Sequence, residues 1–186
     1  MNNLQALRTL AYANVRRILR IWIQTILPPA ITTALYFLIF GSLIGSRIGN
    51  MPGYEGLSYI EFMVPGLIML SVITNSYANV ASAFFGTKFQ KSIEEIIVSP
   101  MPAWVILIGF LAGGIARGVI VGIVVVLTSL FFVDISINNY FLTCFSIIIT
   151  SLLFSLLGLM NGIYARNFDD VSIVPTLVLS PLFYLG

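Results

Sequence analysis

Long apolar stretches separated by short polar segments run along almost the whole chain. Four are complete and a fifth begins near the end: Ile21–Ile44, Ile60–Phe85, Val105–Val133, Tyr140–Ile163 and Ser172–Gly186. A helix of about 20 apolar residues crosses the hydrocarbon core of a bilayer, where the backbone must satisfy its own hydrogen bonds. The stretches are too long and too continuously apolar for the alternating strands of a membrane β-barrel. The pattern therefore predicts an all-α membrane protein, a polytopic transmembrane helix bundle.

The fifth stretch reaches the last residue without a polar flank or a basic stop signal. We therefore expect residues 1–186 to form one transmembrane domain that is truncated at its C-terminus. Four full spans and the start of a fifth are what this part of the sequence predicts.

Composition supports the membrane assignment and excludes several kinds of chemistry. Hydrophobic residues make up 59% of the chain and charged residues 9%, against about 25% charged in soluble domains. With no His and one Cys, Cys144, the chain has no ordinary zinc ligand set, no Cys–His nucleophile and no internal disulfide. We expect no catalytic, cofactor-binding or metal-binding residue, and a net charge of +2 gives nucleic-acid binding no support.

Basic residues lie almost entirely on alternate polar segments. Seven occupy the N-terminal segment and the second and fourth loops, namely Arg8, Arg16, Arg17, Arg20, Lys88, Lys91 and Arg166. The opposite loops hold only Arg47. Since Lys and Arg are retained on the cytoplasmic side, we predict a cytoplasmic N-terminus and cytoplasmic loops at 86–103 and 164–171, with loops 46–58 and 134–139 outside.

The segment before the first span, residues 3–20, has helical periodicity. An apolar stripe is formed by Leu4, Leu7, Ala11, Val15 and Ile18, which predicts an amphipathic helix at the membrane interface. A cleaved signal peptide is the alternative, but the apolar run that follows is too long and lacks a small-residue cleavage pattern. Pro28 and Pro29 predict the break between this helix and the first span.

Polar and small residues recur at helical spacing inside the spans. Ser71, Asn75, Asn79 and Ser82 share one face of the second span. That face is either a translocation surface or a site of hydrogen bonding between helices. Glycines repeat every four residues at Gly114, Gly118 and Gly122, beside Gly109 and Gly113, and at Gly158 and Gly162. This spacing predicts close helix contact, either within the chain or across a dimer.

Arg117 is the charged residue within a long apolar run. A charge in hydrocarbon is costly unless it has a partner or its side chain extends to the lipid phosphates. Arg117 is therefore either a functional site or a snorkelling side chain. No Asp or Glu lies well inside a span, which disfavours a proton relay, while sodium coupling through backbone carbonyls stays open.

The loop at 86–103 contains a second amphipathic pattern. Its apolar stripe is Phe89, Ile93, Ile96 and Ile97, beside the acidic pair Glu94 and Glu95. We interpret it as a docking helix for a cytoplasmic partner rather than a membrane-surface helix, because acidic side chains repel anionic lipids. Ser92 and Glu95 fit a capping box, although Ser92 could be interior to a helix that begins near Thr87.

Four segments of the sequence resemble the type-two ABC-transporter permease family, most closely its bacterial inner-membrane members. They are the Arg20–Pro29 run, the Pro65-Gly66 turn, the Gly86–Pro100 loop and the Tyr164–Asp170 loop. The resemblance implies a membrane subunit of an exporter that dimerises in the lipid bilayer and has six spans at full length. It implies that a separate ABC subunit binds and hydrolyses ATP, consistent with the missing Gly-x-x-x-x-Gly-Lys-Ser/Thr motif.

The family resemblance also implies roles for particular residues. Residues 87–99 correspond to the coupling helix, which here contains Phe89, Ile93, Glu94, Glu95 and Ile97, and Arg166 and Asp169 lie in a secondary contact loop. Two other functions are alternatives: a secondary carrier, and a membrane assembly protein that recruits a cytoplasmic factor without transport. Dependence on an ion gradient rather than ATP would identify the carrier.

Overall fold

A computed structural model describes residues 3–40, 58–133 and 139–181. The helices are α1 (Asn3–Arg20), α2 (Trp22–Phe40), α3 (Tyr59–Phe89), α4 (Ser92–Val98), α5 (Ala103–Leu130), α6 (Tyr140–Tyr164) and α7 (Phe168–Val174), followed by a π-helical turn at Pro175–Leu179. Within these ranges four helices, α2, α3, α5 and α6, are long and apolar enough to cross a membrane. The prediction of an all-α membrane helix bundle is confirmed.

Several predicted segments lie outside the described residues. They are residues 41–44 of the first span, most of the loops at 46–58 and 134–139, and residues 182–186 of the fifth span. Within the described part, α3 continues as a helix through Pro65 and Gly66, where a turn was expected, and extends four residues beyond the predicted end at Phe85.

The glycines of α5 show how the spans are oriented relative to one another, because each glycine lies against particular residues of the neighbouring helices. A Cβ atom placed on a glycine would meet the same two neighbouring helices at each position. The sets are Gly114 with Val80 and Ser155, Gly118 with Ser76 and Ser151, and Gly122 with Val72 and Ile147. Residue numbers in α3 and α6 fall as those in α5 rise, so α5 is antiparallel to both.

Helix α6 approaches the backbone of α3 through two glycines. A Cβ on Gly158 would clash with the carbonyl oxygen of Tyr77, and one on Gly162 would lie 3.1 Å from that of Ala81. Both numbers rise together, so α3 and α6 are parallel. The glycine spacing therefore serves close packing within the chain, and the intrachain interpretation is confirmed at these positions.

Helices α1 and α2 run in the same direction as α5. Leu10 lies against Gly109, Asn14 lies against Gly113, and the Phe37 ring stacks on Phe132 with 5.5 Å between centroids. The amide of Asn14 also donates to the Gly109 carbonyl at 3.2 Å. The N-terminal helix is therefore fixed to the bundle by a polar bond as well as by packing.

The predicted break at Pro28-Pro29 is wrong, because both prolines lie inside α2. The helix is interrupted instead at Ile21, whose N–H bonds to the carbonyls of both Arg17 and Ile18 at 3.3 and 3.1 Å. Such sharing tightens the last turn of a helix. The Thr25 hydroxyl also donates to the Ile21 carbonyl at 3.2 Å, a side-chain bond that competes with regular helix geometry.

The bounds of α1 match the predicted amphipathic helix, but its packing face differs from the apolar stripe. Ile18 is buried, whereas Leu4 is 72% exposed. Leu10 and Asn14 lie against α5, because Gly109 and Gly113 leave room for them, and Arg17 bonds to Asn79 of α3. The location of this helix at the membrane interface stays a prediction.

Candidate coupling surface and polar helix face

A sharp corner joins α3 to the short helix α4. Lys91 has φ 59°, the left-handed backbone conformation that residues other than glycine rarely adopt. The Ser92 hydroxyl donates back across this corner to the carbonyl of Thr87 at 3.1 Å. The predicted Ser92 capping box is therefore wrong, since Lys91 is the N-cap and the serine hydroxyl is engaged with α3.

Most of the side chains that we predicted to contact a partner lie on α4 or at the end of α3, and most of them are exposed. Helix α4 packs on α3. Phe89 and Ile97 are 65% and 68% exposed, and Glu94 and Glu95 are exposed, whereas Ile93 is half-buried. An apolar face with acidic neighbours therefore projects from one end of the bundle.

The second predicted contact loop meets the end of α3 at an aromatic cluster. The Phe168 ring lies 4.9 Å from Phe89 and 4.8 Å from Phe85, both in edge-to-face geometry, which is the favoured arrangement of aromatic pairs. The exposed residues form one area that we call the coupling surface: Phe89, Glu94, Glu95, Ile97, Arg166, Phe168 and Asp169. The structure thus brings together two loops that the sequence analysis treated separately.

Two polar groups hold the loops of the coupling surface in place. The Lys88 ammonium donates to the carbonyls of Ile163 and Ala165, each at 2.8 Å, where α6 ends. A cation there also interacts favourably with the helix dipole. The Asp170 carboxylate accepts from the backbone N–H groups of Arg166 and Asn167 at 2.8 and 3.2 Å, and these bonds lower the pKa of Asp170.

Sequence analysis missed the structural roles of Lys88, Asp170 and Phe168. The carbonyls bound by Lys88 lie 75 and 77 residues away, so no local pattern reveals them. Asp170 does have a local signature, since Asn167-x-x-Asp170 has the spacing of a capping box.

The start of the predicted fifth span is helical from Phe168 and contains a π-helical turn. Pro175 has no N–H, so the carbonyl of Val171 lacks its usual helical donor. The Asn161 side-chain amide of α6 donates to that carbonyl at 3.0 Å. The Val171 carbonyl, which Pro175 leaves without a helical donor, thus attaches this segment to α6.

The predicted polar face of α3 has no uniform environment. The Asn75 amide donates to the Ser71 carbonyl at 3.0 Å, and the Ser82 hydroxyl donates to the Asn79 carbonyl at 3.2 Å, both within the helix. Asn79 is buried, and its Oδ1 accepts from Arg17 of α1 at 3.1 Å. Interhelical bonding therefore accounts for Asn79, while a translocation role for the face stays a prediction.

Arg117 lies half-buried on α5, and the charges of Arg117 and Arg17 act on each other. Burial lowers the pKa of the Arg17 guanidinium. Arg117 makes no hydrogen bond or ion pair with the described residues, and its Nε atom is buried. The two interpretations of Arg117, as a functional site and as a side chain that snorkels to lipid phosphates, stay predictions.

The family model for the ABC-2 type transporter matches residues 5–186. The chain belongs to the ABC-2 type transporter family. The inner membrane transport permease YadH of Escherichia coli (strain K12) is 55% identical over 181 residues, which cover 97% of this chain and 70% of that protein, and YadH of Shigella flexneri gives the same values. Nodulation protein J of Bradyrhizobium diazoefficiens is 25% identical over 82% of this chain and 57% of its own length. No solved structure gives a significant match.

These matches confirm the resemblance seen in the sequence motifs. The chain is a membrane permease subunit of an ABC transporter, a kind of subunit that is not itself an enzyme. Membership of this family implies an ATP-binding partner subunit.

Proposed function

We propose that the chain is the transmembrane subunit of an exporter, that it dimerises, and that ATP hydrolysis by a separate subunit acts on it through the coupling surface. The observation that carries the proposal is the Phe89–Phe168 contact, which joins the end of α3, beside α4, to the start of α7. It gives the two loops a continuous face at one end of the bundle.

The chemistry of this face suits a protein partner. Phe89 and Ile97 offer apolar anchors of the kind that enter a groove, and Glu94 and Glu95 can set orientation and register as rim charges. The Lys88 bonds to the end of α6 prevent this region from moving independently of the spans. A displacement of the coupling surface would therefore reach the spans directly.

The distribution of charge supports a cytoplasmic position for the coupling surface, and the name of a relative supports placement of the chain in the inner membrane. Lys88, Lys91 and Arg166 lie at the end of the bundle where α3 and α6 finish, which the positive-inside rule assigns to the cytoplasm. The printed name of YadH supports placement in the bacterial inner membrane. We further propose that ATP binds only to the partner subunit, so that this chain needs no cofactor of its own.

The proposal is tested by reversing the acidic charges of the full-length protein with Glu94→Lys and Glu95→Lys. Reconstituted with its ATP-binding subunit, the variant is expected to lose about tenfold in transport-linked ATPase activity, which corresponds to a loss of about 1.4 kcal/mol in coupling. A matched control adds positive charge to the exposed face of α1 with Gln5→Lys and Thr9→Lys. Unchanged activity of the Glu94/Glu95 variant would contradict the proposal.

A second arm of the experiment separates the two alternative functions. Transport that persists without ATP and follows an ion gradient would identify a secondary carrier. Copurification of an ATP-binding subunit without any flux would favour a membrane assembly protein. An exporter is expected to lose flux when Ser71 and Asn75 are replaced by alanine, since their side chains make no hydrogen bond to another helix in the part of the chain that the structure describes.

A further inference from the structure

The register between α1 and α5 places two arginines side by side. Leu10 lies against Gly109 and Asn14 lies against Gly113, so the next turn brings Arg17 to the level of Arg117. Their charges act on each other. Two like charges on neighbouring helices repel unless a negative group lies between them.

Arg17 is held in this position by α3. Its Nη2 donates to both the side-chain oxygen and the backbone carbonyl of Asn79, at 3.1 and 3.3 Å. The amide nitrogen of Asn79 lies against Gly113, where a Cβ would be 3.4 Å away. The Arg17 guanidinium therefore cannot move away from Arg117 without giving up both bonds.

Neither arginine has an acidic partner among residues 3–40, 58–133 and 139–181. Arg117 uses none of its donors there, and its Nε atom is buried while the residue as a whole is half-exposed. A guanidinium presents five N–H donors in a geometry that fits the oxygens of phosphate. The pair therefore has the charge and the donors for one phosphate group.

The surroundings of the pair indicate where such a group would come from. On the adjoining turns Leu19, Trp22 and Ile23 are exposed and apolar, and Arg16 and Arg20 are exposed and basic. Apolar side chains beside basic ones, with Trp among them, are typical of the level at which lipid headgroups contact a membrane protein.

We propose that Arg17 and Arg117 bind one phosphate group, that of an anionic phospholipid, at the junction of α1, α3 and α5. Asn79 acts as the positioning residue for Arg17. The site ties the N-terminal helix to the span that follows the coupling surface. The inference of a phosphate site does not depend on the proposed export function.

The test compares thermal unfolding of the full-length protein in nanodiscs of phosphatidylcholine alone and with phosphatidylglycerol added. Phosphatidylglycerol is expected to raise the unfolding temperature of the wild type, because its net negative charge offsets the repulsion between the arginines. In phosphatidylcholine the choline group already neutralises the phosphate. The Arg117→Gln substitution is expected to have opposite effects on stability in the two membranes. The variant is more stable than the wild type in phosphatidylcholine and less stable when phosphatidylglycerol is present.

Native mass spectrometry provides a direct measure of binding. The wild type is expected to retain one phosphatidylglycerol per chain, with about tenfold weaker retention in Arg117→Gln and in Arg17→Gln. Arg117→Lys keeps the charge and should restore part of the retention. Arg8→Gln removes an exposed charge from the same helix and serves as the matched control.

A further arm adds inorganic phosphate to the protein in phosphatidylcholine nanodiscs. Stabilisation that is lost in Arg117→Gln would keep the phosphate site but assign it to a soluble phosphoryl compound instead of a lipid. The proposal is overturned if Arg117→Gln shifts the unfolding temperature equally in both membranes and inorganic phosphate has no effect.

Discussion

The interior between α3, α5 and α6 and the coupling surface at one end of the bundle are built on opposite principles. In the interior, glycines bring helices so close that a single methyl group would meet Ser76, Ser151 or the Tyr77 carbonyl. At the coupling surface Phe89 and Ile97 remain largely exposed. Close packing makes the three spans move as one body, while exposed apolar groups leave the end available for a partner.

The largest effect is expected at Gly158. Gly158→Ala places a methyl group on the backbone of α3, which cannot shift as a flexible side chain could. We expect a loss of stability of about 3 kcal/mol, at the upper end of overpacking costs. Thermal unfolding of the protein in detergent measures it.

Gly86→Ala is the matched control for this substitution. Gly86 lies in α3, and no other atom of the described residues lies within 4 Å of its Cβ position, so the same methyl group should be neutral or slightly stabilising through helix propensity. Equal destabilisation by the two substitutions would refute the contrast between the interior and the end of the bundle.

A smaller effect is expected at Asn161, which attaches the segment after α7 to α6. Asn161→Ala leaves the Val171 carbonyl without its donor and should cost about 1 to 3 kcal/mol. Pro175→Ala restores a backbone N–H four residues after Val171. In that background Asn161→Ala should cost less, and a double-mutant cycle of unfolding free energies measures the difference.

Additive costs in this cycle would mean that the amide of Asn161 does not replace the donor missing from Pro175. Hydrogen exchange localises the effect, because amides between Phe168 and Leu179 should exchange faster in Asn161→Ala while those of α5 remain unchanged.

The smallest effect concerns pH and the carboxylate of Asp170. Its backbone hydrogen bonds hold the pKa of Asp170 below the usual value of an aspartate. A carboxylate with a lowered folded-state pKa stabilises the fold above its unfolded pKa and loses that contribution as pH falls through the folded value. Amide exchange in the first turn of α7 should therefore accelerate below about pH 4, and Asp170→Asn should remove this dependence.

Much of the fold could be predicted from the sequence because hydrocarbon imposes strict length and composition on a span. The same is true of Gly114, Gly118 and Gly158, since few environments other than close helix contact explain their spacing. The predicted boundary between the N-terminal helix and the first span was wrong because it relied on Pro28 and Pro29. A helix can run through proline, and the shared bonds at Ile21 have no distinctive sequence pattern.

The candidate site was less predictable. The exposed apolar and acidic residues at the end of α3 and on α4 could be identified from periodicity. The contact of Phe89 with Phe168, in contrast, depends on how α3 and α6 end side by side. The pairing of Arg17 with Arg117 likewise depends on the register of α1 on α5. Contacts between residues far apart in sequence follow from the packing of whole helices and have no local signature.

The Lys88 bonds have a mechanical consequence. They fasten the end of α3 to the end of α6, so the two parallel helices act as one lever. Helix α3 has 31 residues, which at 1.5 Å per residue makes the lever about 46 Å long. A tilt of about 5° at the lysine would move the far end of this lever by about 4 Å, so a slight rotation at one end of the bundle becomes a displacement of several ångströms at the other.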